Sequence, residues 1–294
     1  DFKNDLNFYN RLSDLPMDKM VVPYFLKYTK NVNQYEVFLK VDDFFKKVKY
    51  FNNGKNTINI SFYLSFINNP IKMGILNKVI SSTELYMKRR TFLSDEEFFA
   101  SKEVKNFIRH SAENESNNNL KVPPREVIEL FKIMSVYQGK DEEEVIKPAI
   151  LFDSVGTNKF INMAMHIISA LLDENILLID EFDSSLHHKL TRALIILMNS
   201  EINTKAQFVL TTHDVKLLSS KLFRKDQINF IIRDESGVEI VSLEDFKANS
   251  DKDIRSDSNF EKMYVEERIV PLPNTDIYQV IKEFKDNDQT ASAF

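Results

Sequence analysis

Apolar and polar positions change their spacing along the 294-residue chain. From about 24 to 66, in YEVFLKVDDFF and NTINISFYLSF, aromatic and β-branched residues partly alternate with polar ones, the two-residue period of a half-buried strand. Asn52-Asn53-Gly54 between them suits a hairpin turn, so this part reads as an antiparallel β unit. From about 69 to 147 the spacing lengthens. LSDEEFFASKEVKNFIRHSA and PREVIELFKIMSVY carry apolar residues three and four apart, as amphipathic helices do, and Ser94 ahead of Glu96 and Glu97 suits a helix start. The polar loop AENESNNNLKVPP separates them, and the acidic run 141–144 reads as a solvated face. A helical insertion is expected here.

From 146 onward strands and helices alternate. Residues 150–153 form a short strand candidate, and Ser154-Val155-Gly156-Thr157 is a turn opening a helix with Phe160, Met163, Ala164, Ile167 and Leu171 on one face. NILLID, 175–180, is an apolar strand ending in acid. A second helix spans 184–200 with Leu186, Leu190, Leu194 and Leu197 inward, and AQFVLT, 206–211, reads as another buried strand. Such alternation predicts a parallel sheet with helices packed against it. QINFII, a turn at Gly237 and VEIVSL predict a β-hairpin at the edge, and the polar sequence beyond 248 is expected to be peripheral. The expected fold is α/β: an antiparallel β unit at 1–68, a helical insertion at 69–147, an α/β core at 148–247 and a peripheral segment at 248–294.

Composition narrows the classes. The chain is 43% apolar and 28% charged, a globular balance, and its net charge of −5 argues against a surface generally coated by nucleic acid. The local clusters Lys46-Lys47-Val48-Lys49 and Lys88-Arg89-Arg90 leave a basic patch open. The absence of cysteine excludes disulfides, thiolate metal sites and cysteine nucleophiles, and fits a reducing compartment. No apolar run reaches the roughly 18–20 residues that span a bilayer, and DFKNDLNFYN lacks the features of a signal peptide, so a cytoplasmic protein without membrane contact is expected. Only five glycines occur, none paired as G-x-x-x-x-G-K-[ST] requires. Either an upstream segment is missing, or phosphates are held differently.

Candidate chemistry begins at Asp180 and Glu181. An apolar strand ending in two acids delivers them to the carboxyl edge of a sheet, where α/β proteins bind ligands. The first carboxylate can hold Mg²⁺ through water, and the second can orient and deprotonate a water attacking a γ-phosphate. Acids also commonly cap a strand or the next helix. His213 follows the next strand, at the same edge, where an imidazole can donate to a phosphate oxygen or serve as a polar cap. At Ser154–Thr157 a glycine lets backbone N–H groups approach an anion at a helix N-terminus, although Ser154 or Thr157 also suits an ordinary N-cap.

The order of these elements resembles the ABC ATPase superfamily. Ser154, Gly156 and Thr157 match its signature turn in an S-x-G-T form, 176–181 its Walker B strand and glutamate, Ser184–His187, with Ser184 and Ser185, its D-loop, and Thr212-His213-Asp214 its switch histidine. More narrowly, LLIDEFDSSLHHKL, AQFVLTTHD and FRKDQINFIIRDESGVEIVSLEDF are similar to the AAA-type ATPases of abortive-infection systems, ABC-like phage-defence proteins related to SMC and RecF heads. The resemblance implies a head-to-tail dimer with ATP and Mg²⁺ between protomers. Asp180 would organise the metal, Glu181 activate water and His213 contact the γ-phosphate, with Ser154 and Gly156 completing the partner's site. It implies a toxin or nuclease effector as partner. The family's Walker A loop is not found in this sequence; if the upstream segment is truly absent, the chain alone is expected to bind ATP poorly. Two other readings stay open: a DNA-binding repair head of the SMC or RecF kind, and a non-hydrolysing subunit of a defence complex. An intrinsic nuclease is not expected, the acids Asp251, Asp253 and Asp257 lying in a polar tail.

Overall fold

A computed structural model of the chain describes residues 43–52, 60–83, 85–100, 125–139, 143–234, 237–246 and 259–269. Two units make up the chain, 1–213 and 214–294. In chain order the first runs β1 (Val48–Asn52), α1 (Ile60–Ile67), α2 (Pro70–Ser81), β2 (Met87–Phe92), α3 (Asp95–Ala100), α4 (Arg125–Phe131), β3 (Ile133–Gln138), β4 (Glu144–Pro148), α5 (Ala149–Phe152), α6 (Val155–Leu172), β5 (Ile176–Asp180), α7 (His188–Met198) and β6 (Gln207–Leu210). The fold is mixed α/β, with a parallel sheet flanked by helices and a separate antiparallel sheet.

The parallel sheet has the order β1-β5-β6, which puts the acidic strand in the middle. Val48 pairs with Ile176 and Asn52 with Asp180 on one side, and Ile176 with Gln207 on the other. All three strands therefore end at one edge, and Asp180 is the last residue of the central one. Helix α6 packs against β5, α2 and α7. It is buried nearly all round, with Phe160, Met163, Ala164, Met165 and Ile167 fully enclosed. Burying each of the larger ones, the phenylalanine, methionines and isoleucine, stabilises the fold by about 1.5–3 kcal/mol. Asn69 starts α2 by accepting from the Ile71 and Lys72 N–H groups at 3.1 Å, ahead of Pro70 at the first helical position. Ser94 and Glu97 form a reciprocal capping box at α3, the helix start expected there.

Several elements differ from expectation. The segment expected as a second strand, NTINISFYLSF, is helix α1 where it is described, burying Tyr63 and Phe66 three residues apart. The strand preceding it, β1, pairs in parallel rather than in an antiparallel hairpin. The antiparallel sheet lies within the stretch expected to be a helical insertion, with order β2-β3-β4. In PREVIELFKIMSVY the helix stops at Phe131 and IMSVYQ is strand β3, buried on both faces over its first four residues. Residues 149–152 are a helical turn rather than a strand. Helix α7 starts at His188 with His187 as its cap, and buries Thr191, Leu194, Ile195 and Met198; of the expected leucine face Leu194 is buried, while Leu186, Leu190 and Leu197 are half-buried. Strand β6 has an open side, Val209 being 58% exposed. Glu144, placed in a solvated acidic run, forms a two-pronged bond with Arg89 at 2.6 and 2.7 Å. The 35–42 part of the first strand, the turn residues Asn53-Gly54, the loop 112–124 and most of its preceding helix lie outside the described residues.

In the second unit the expected hairpin is present: β7 (Asn229–Asp234) pairs antiparallel with β8 (Gly237–Ser242). Gly237 has φ +141°, a backbone region that side chains disfavour. The expectation that everything past 248 is peripheral does not hold. Helix α8 (Phe260–Val265) puts Phe260, fully buried, into a core with Ile228, Leu243 and Ile269, and Tyr264 stacks on Phe230 at 5.6 Å. Asp251, Asp253 and Asp257 lie outside the described residues. Among the described residues no helix is long and apolar enough to cross a membrane.

Candidate functional site

The Asp180 carboxylate leaves β5 beside β6, where the Thr211 hydroxyl donates to its Oδ1 at 2.6 Å. The same hydroxyl accepts from the Glu181 N–H at 3.1 Å, so one side chain ties the Asp180 carboxylate to the Glu181 backbone. From β1, the Tyr50 hydroxyl reaches Asp180 Oδ2 at 3.4 Å. Backbone bonds also tie the strands here, Thr211 N–H to Ile179 C=O at 3.0 Å and Phe182 N–H to Thr211 C=O at 2.9 Å. Glu181 is exposed and sits at φ +51°. For a residue with a side chain, that left-handed conformation costs about 1–3 kcal/mol and is held by its surroundings. Here the holding groups are the Thr211 hydroxyl on one side and the fully buried Phe182 on the other.

The chain then turns. The Ser184 N–H donates to Glu181 C=O at 2.9 Å and the Leu186 N–H to Asp183 C=O at 3.1 Å. Ser185 also has a positive φ, +61°. Asp183 accepts from the His213 backbone N–H at 3.2 Å, which draws the segment after β6 toward the turn after β5. His213 itself is exposed.

Ser154 is the N-cap of α6. Its Oγ accepts from the Thr157 N–H at 3.0 Å and lies 2.9 Å from the Thr157 hydroxyl. Gly156 is needed for a local reason: a Cβ there would stand 2.8 Å from the Ser185 carbonyl oxygen. The first turn of α6 thus lies directly against the turn carrying Ser184 and Ser185. Lys159, one helical turn on, reaches both serine hydroxyls at 3.4 Å. Asp153, just before Ser154, is buried and bonded to Arg90 at 2.7 Å, to the Ser135 hydroxyl at 2.7 Å and to the Tyr137 hydroxyl. Burial, then the Asp153 carboxylate, pushes the Tyr137 hydroxyl up to about 12.

The residues expected at the site are therefore linked. Asp180 and Glu181 join Ser184 and Ser185 through one turn, Gly156 closes against that turn, and His213 is tied to it by its backbone. Tyr50, Lys159, Asp183 and Thr211 belong to the same cluster and were not expected in it. Thr211 and Asp183 had a readable signal, a hydroxyl and a third acid at the ends of the quoted motifs. Tyr50 had none, being 130 residues from Asp180. The donor set is hard oxygen. Among the described residues no three histidine or acidic side chains gather into a closed metal cage.

A central parallel strand delivering acids to the carboxyl edge, flanked by helices, is consistent with an AAA ATPase fold. The chain belongs to the AAA-domain family whose description names the AbiEii toxin and a Type IV TA system, the match spanning residues 24–219. No curated protein matches the chain.

Proposed function

We propose that the chain binds and hydrolyses ATP as the head of an ABC-type ATPase, closing as a homodimer in a nucleotide-driven switch of an abortive-infection system. One observation carries the reading: the Thr211 hydroxyl ties the Asp180 carboxylate to the Glu181 backbone at the edge of the central strand. The oxygen set fits Mg²⁺, which prefers one or two carboxylates completed by water and phosphate over a protein cage. Asp180 would hold that ion, which supplies positive charge against the phosphates. Glu181, exposed and at a φ of +51°, would orient the attacking water and accept its proton. His213 would donate to the γ-phosphate, with Ser154, Gly156 and Thr157 facing the partner's nucleotide. Ser184 and Ser185 lie between these groups and would line the closed interface. A toxin or nuclease effector would read the closed state, in keeping with the family's toxin–antitoxin context.

The rival reading, a DNA-binding repair head, loses one of its two basic clusters. Arg89 is neutralised by Glu144, which Lys88 also approaches at 3.7 Å, and Arg90 is buried against Asp153. The non-hydrolysing subunit is separated by experiment. The native mass of Glu181→Gln, measured with and without MgATP, is expected to double only with MgATP, because the variant holds the closed state before hydrolysis. An unchanged mass together with unchanged ATP turnover in Glu181→Gln would reject this function and favour the subunit reading.

A further inference from the structure

Lys159 is a lysine buried to 9% exposure in the first turns of α6. Its ammonium bonds to the hydroxyls of Ser184 and Ser185, each at 3.4 Å, and among the described residues no carboxylate forms an ion pair with it. Burying a charge without an opposite partner is unfavourable, and a methionine of similar reach would fill the space without that cost. The contact also bridges two segments distant in sequence: α6 just after Ser154–Thr157, and the turn just after Asp180–Glu181. At this junction the backbones already touch, Gly156 leaving no room for a Cβ below the Ser185 carbonyl. Ser185 is held at φ +61°, so the turn needs an external hold to keep its shape.

We propose that Lys159 is a positioning residue that clamps the Ser184–Ser185 turn onto the start of α6, so that the two serine-bearing segments move as one body. The consequence for turnover rests on the ATPase reading above; the clamp itself does not. Three charge-assisted donors on one ammonium can serve both hydroxyls at once, whereas a neutral side chain of that length cannot. With the clamp in place, a displacement of α6 is passed to the turn that begins at Glu181. Without it, the strained turn relaxes at Ser185 and no longer follows α6, while Asp180 and Glu181 keep their Thr211 bonds.

Hydrogen exchange on the full chain tests the clamp directly. In Lys159→Met the amides of Ser184 and Leu186 are expected to exchange about tenfold faster, with the amides of α6 from 161 to 168 unchanged. Lys159→Arg should restore part of the protection. The double variant Ser184→Ala/Ser185→Ala, which leaves α6 intact, should reproduce the loss if Lys159→Met fails to fold. Exchange unchanged within twofold in both variants would overturn the clamp, whatever nucleotide does. ATP turnover then separates the two levels. A kcat lowered at least tenfold with KM within about twofold fits the coupling, and wild-type kcat with accelerated exchange would overturn it. Were the wild-type chain itself silent to MgATP, the ATPase reading would fall while the exchange result still decided the clamp.

Discussion

His166 lies in the middle of α6, stacked on Phe62 at 4.1 Å and tilted against Phe51 at 4.5 Å. It therefore joins the helix carrying Ser154 to β1 and α1, and burial pushes its pKa down to about 4. The unfolded chain binds the proton near the ordinary value of 6.5, so acid favours unfolding. Stability from this group is complete above pH 6.5 and drains away as the pH falls toward 4, reaching on the order of 3 kcal/mol. Urea midpoints measured between pH 7 and 4 should show the decline. His166→Phe, which keeps the ring stack without a titrating group, should flatten it. The residue-scale site was legible for a similar reason: acids or a histidine at the end of an apolar strand are costly unless they face an edge, so Asp180, Glu181 and His213 stand out. Residues that act through neighbours do not. Lys159 sits on a helix whose apolar spacing hides it, and Tyr50 reaches Asp180 only because β1 lies beside β5.

At the scale of elements, the buried group around Asp153 joins the antiparallel sheet to the start of α6. Arg90 comes from β2, Ser135 and Tyr137 from β3, and Arg90 also donates to Asn158 on α6 at 3.1 Å. The Arg90 Nε and the Tyr63 hydroxyl are buried without a partner beside a cavity of about 20 Å³, room for one bridging water. Removing the carboxylate charge by Asp153→Asn leaves a buried guanidinium uncompensated, and the expected loss is about 3–5 kcal/mol in urea unfolding. A loss under about 1 kcal/mol would mean that the two elements are held by packing alone. None of this could be read from spacing, because the sheet itself was misread. Residues 60–67, ISFYLSFI, and 133–138, IMSVYQ, are nearly continuous apolar runs that fit either period, and tertiary packing decides them. Where polar residues mark the period or the boundary, as in NILLID followed by acid, the element was readable.

For the whole molecule, the family match ends at 219, within a few residues of the border between the two units at 213. The candidate site lies entirely in the first unit, while the second has its own core around Phe260, Leu243, Ile228 and Ile269. That core uses a helix from a stretch whose polar sequence suggested a loose end, because few apolar residues are needed to cover one face of a hairpin. A unit with a core of its own is expected to unfold separately. Phe260→Ala removes the largest buried side chain of the second core and should cost about 3–5 kcal/mol there. Hydrogen exchange should then show lost protection in β7 and β8 while the amides of β5 and α6 keep theirs. If β5 and α6 lost protection together with the hairpin, the units would be one cooperative body, and the second would have to be counted as part of the scaffold that sets Asp180 and Glu181.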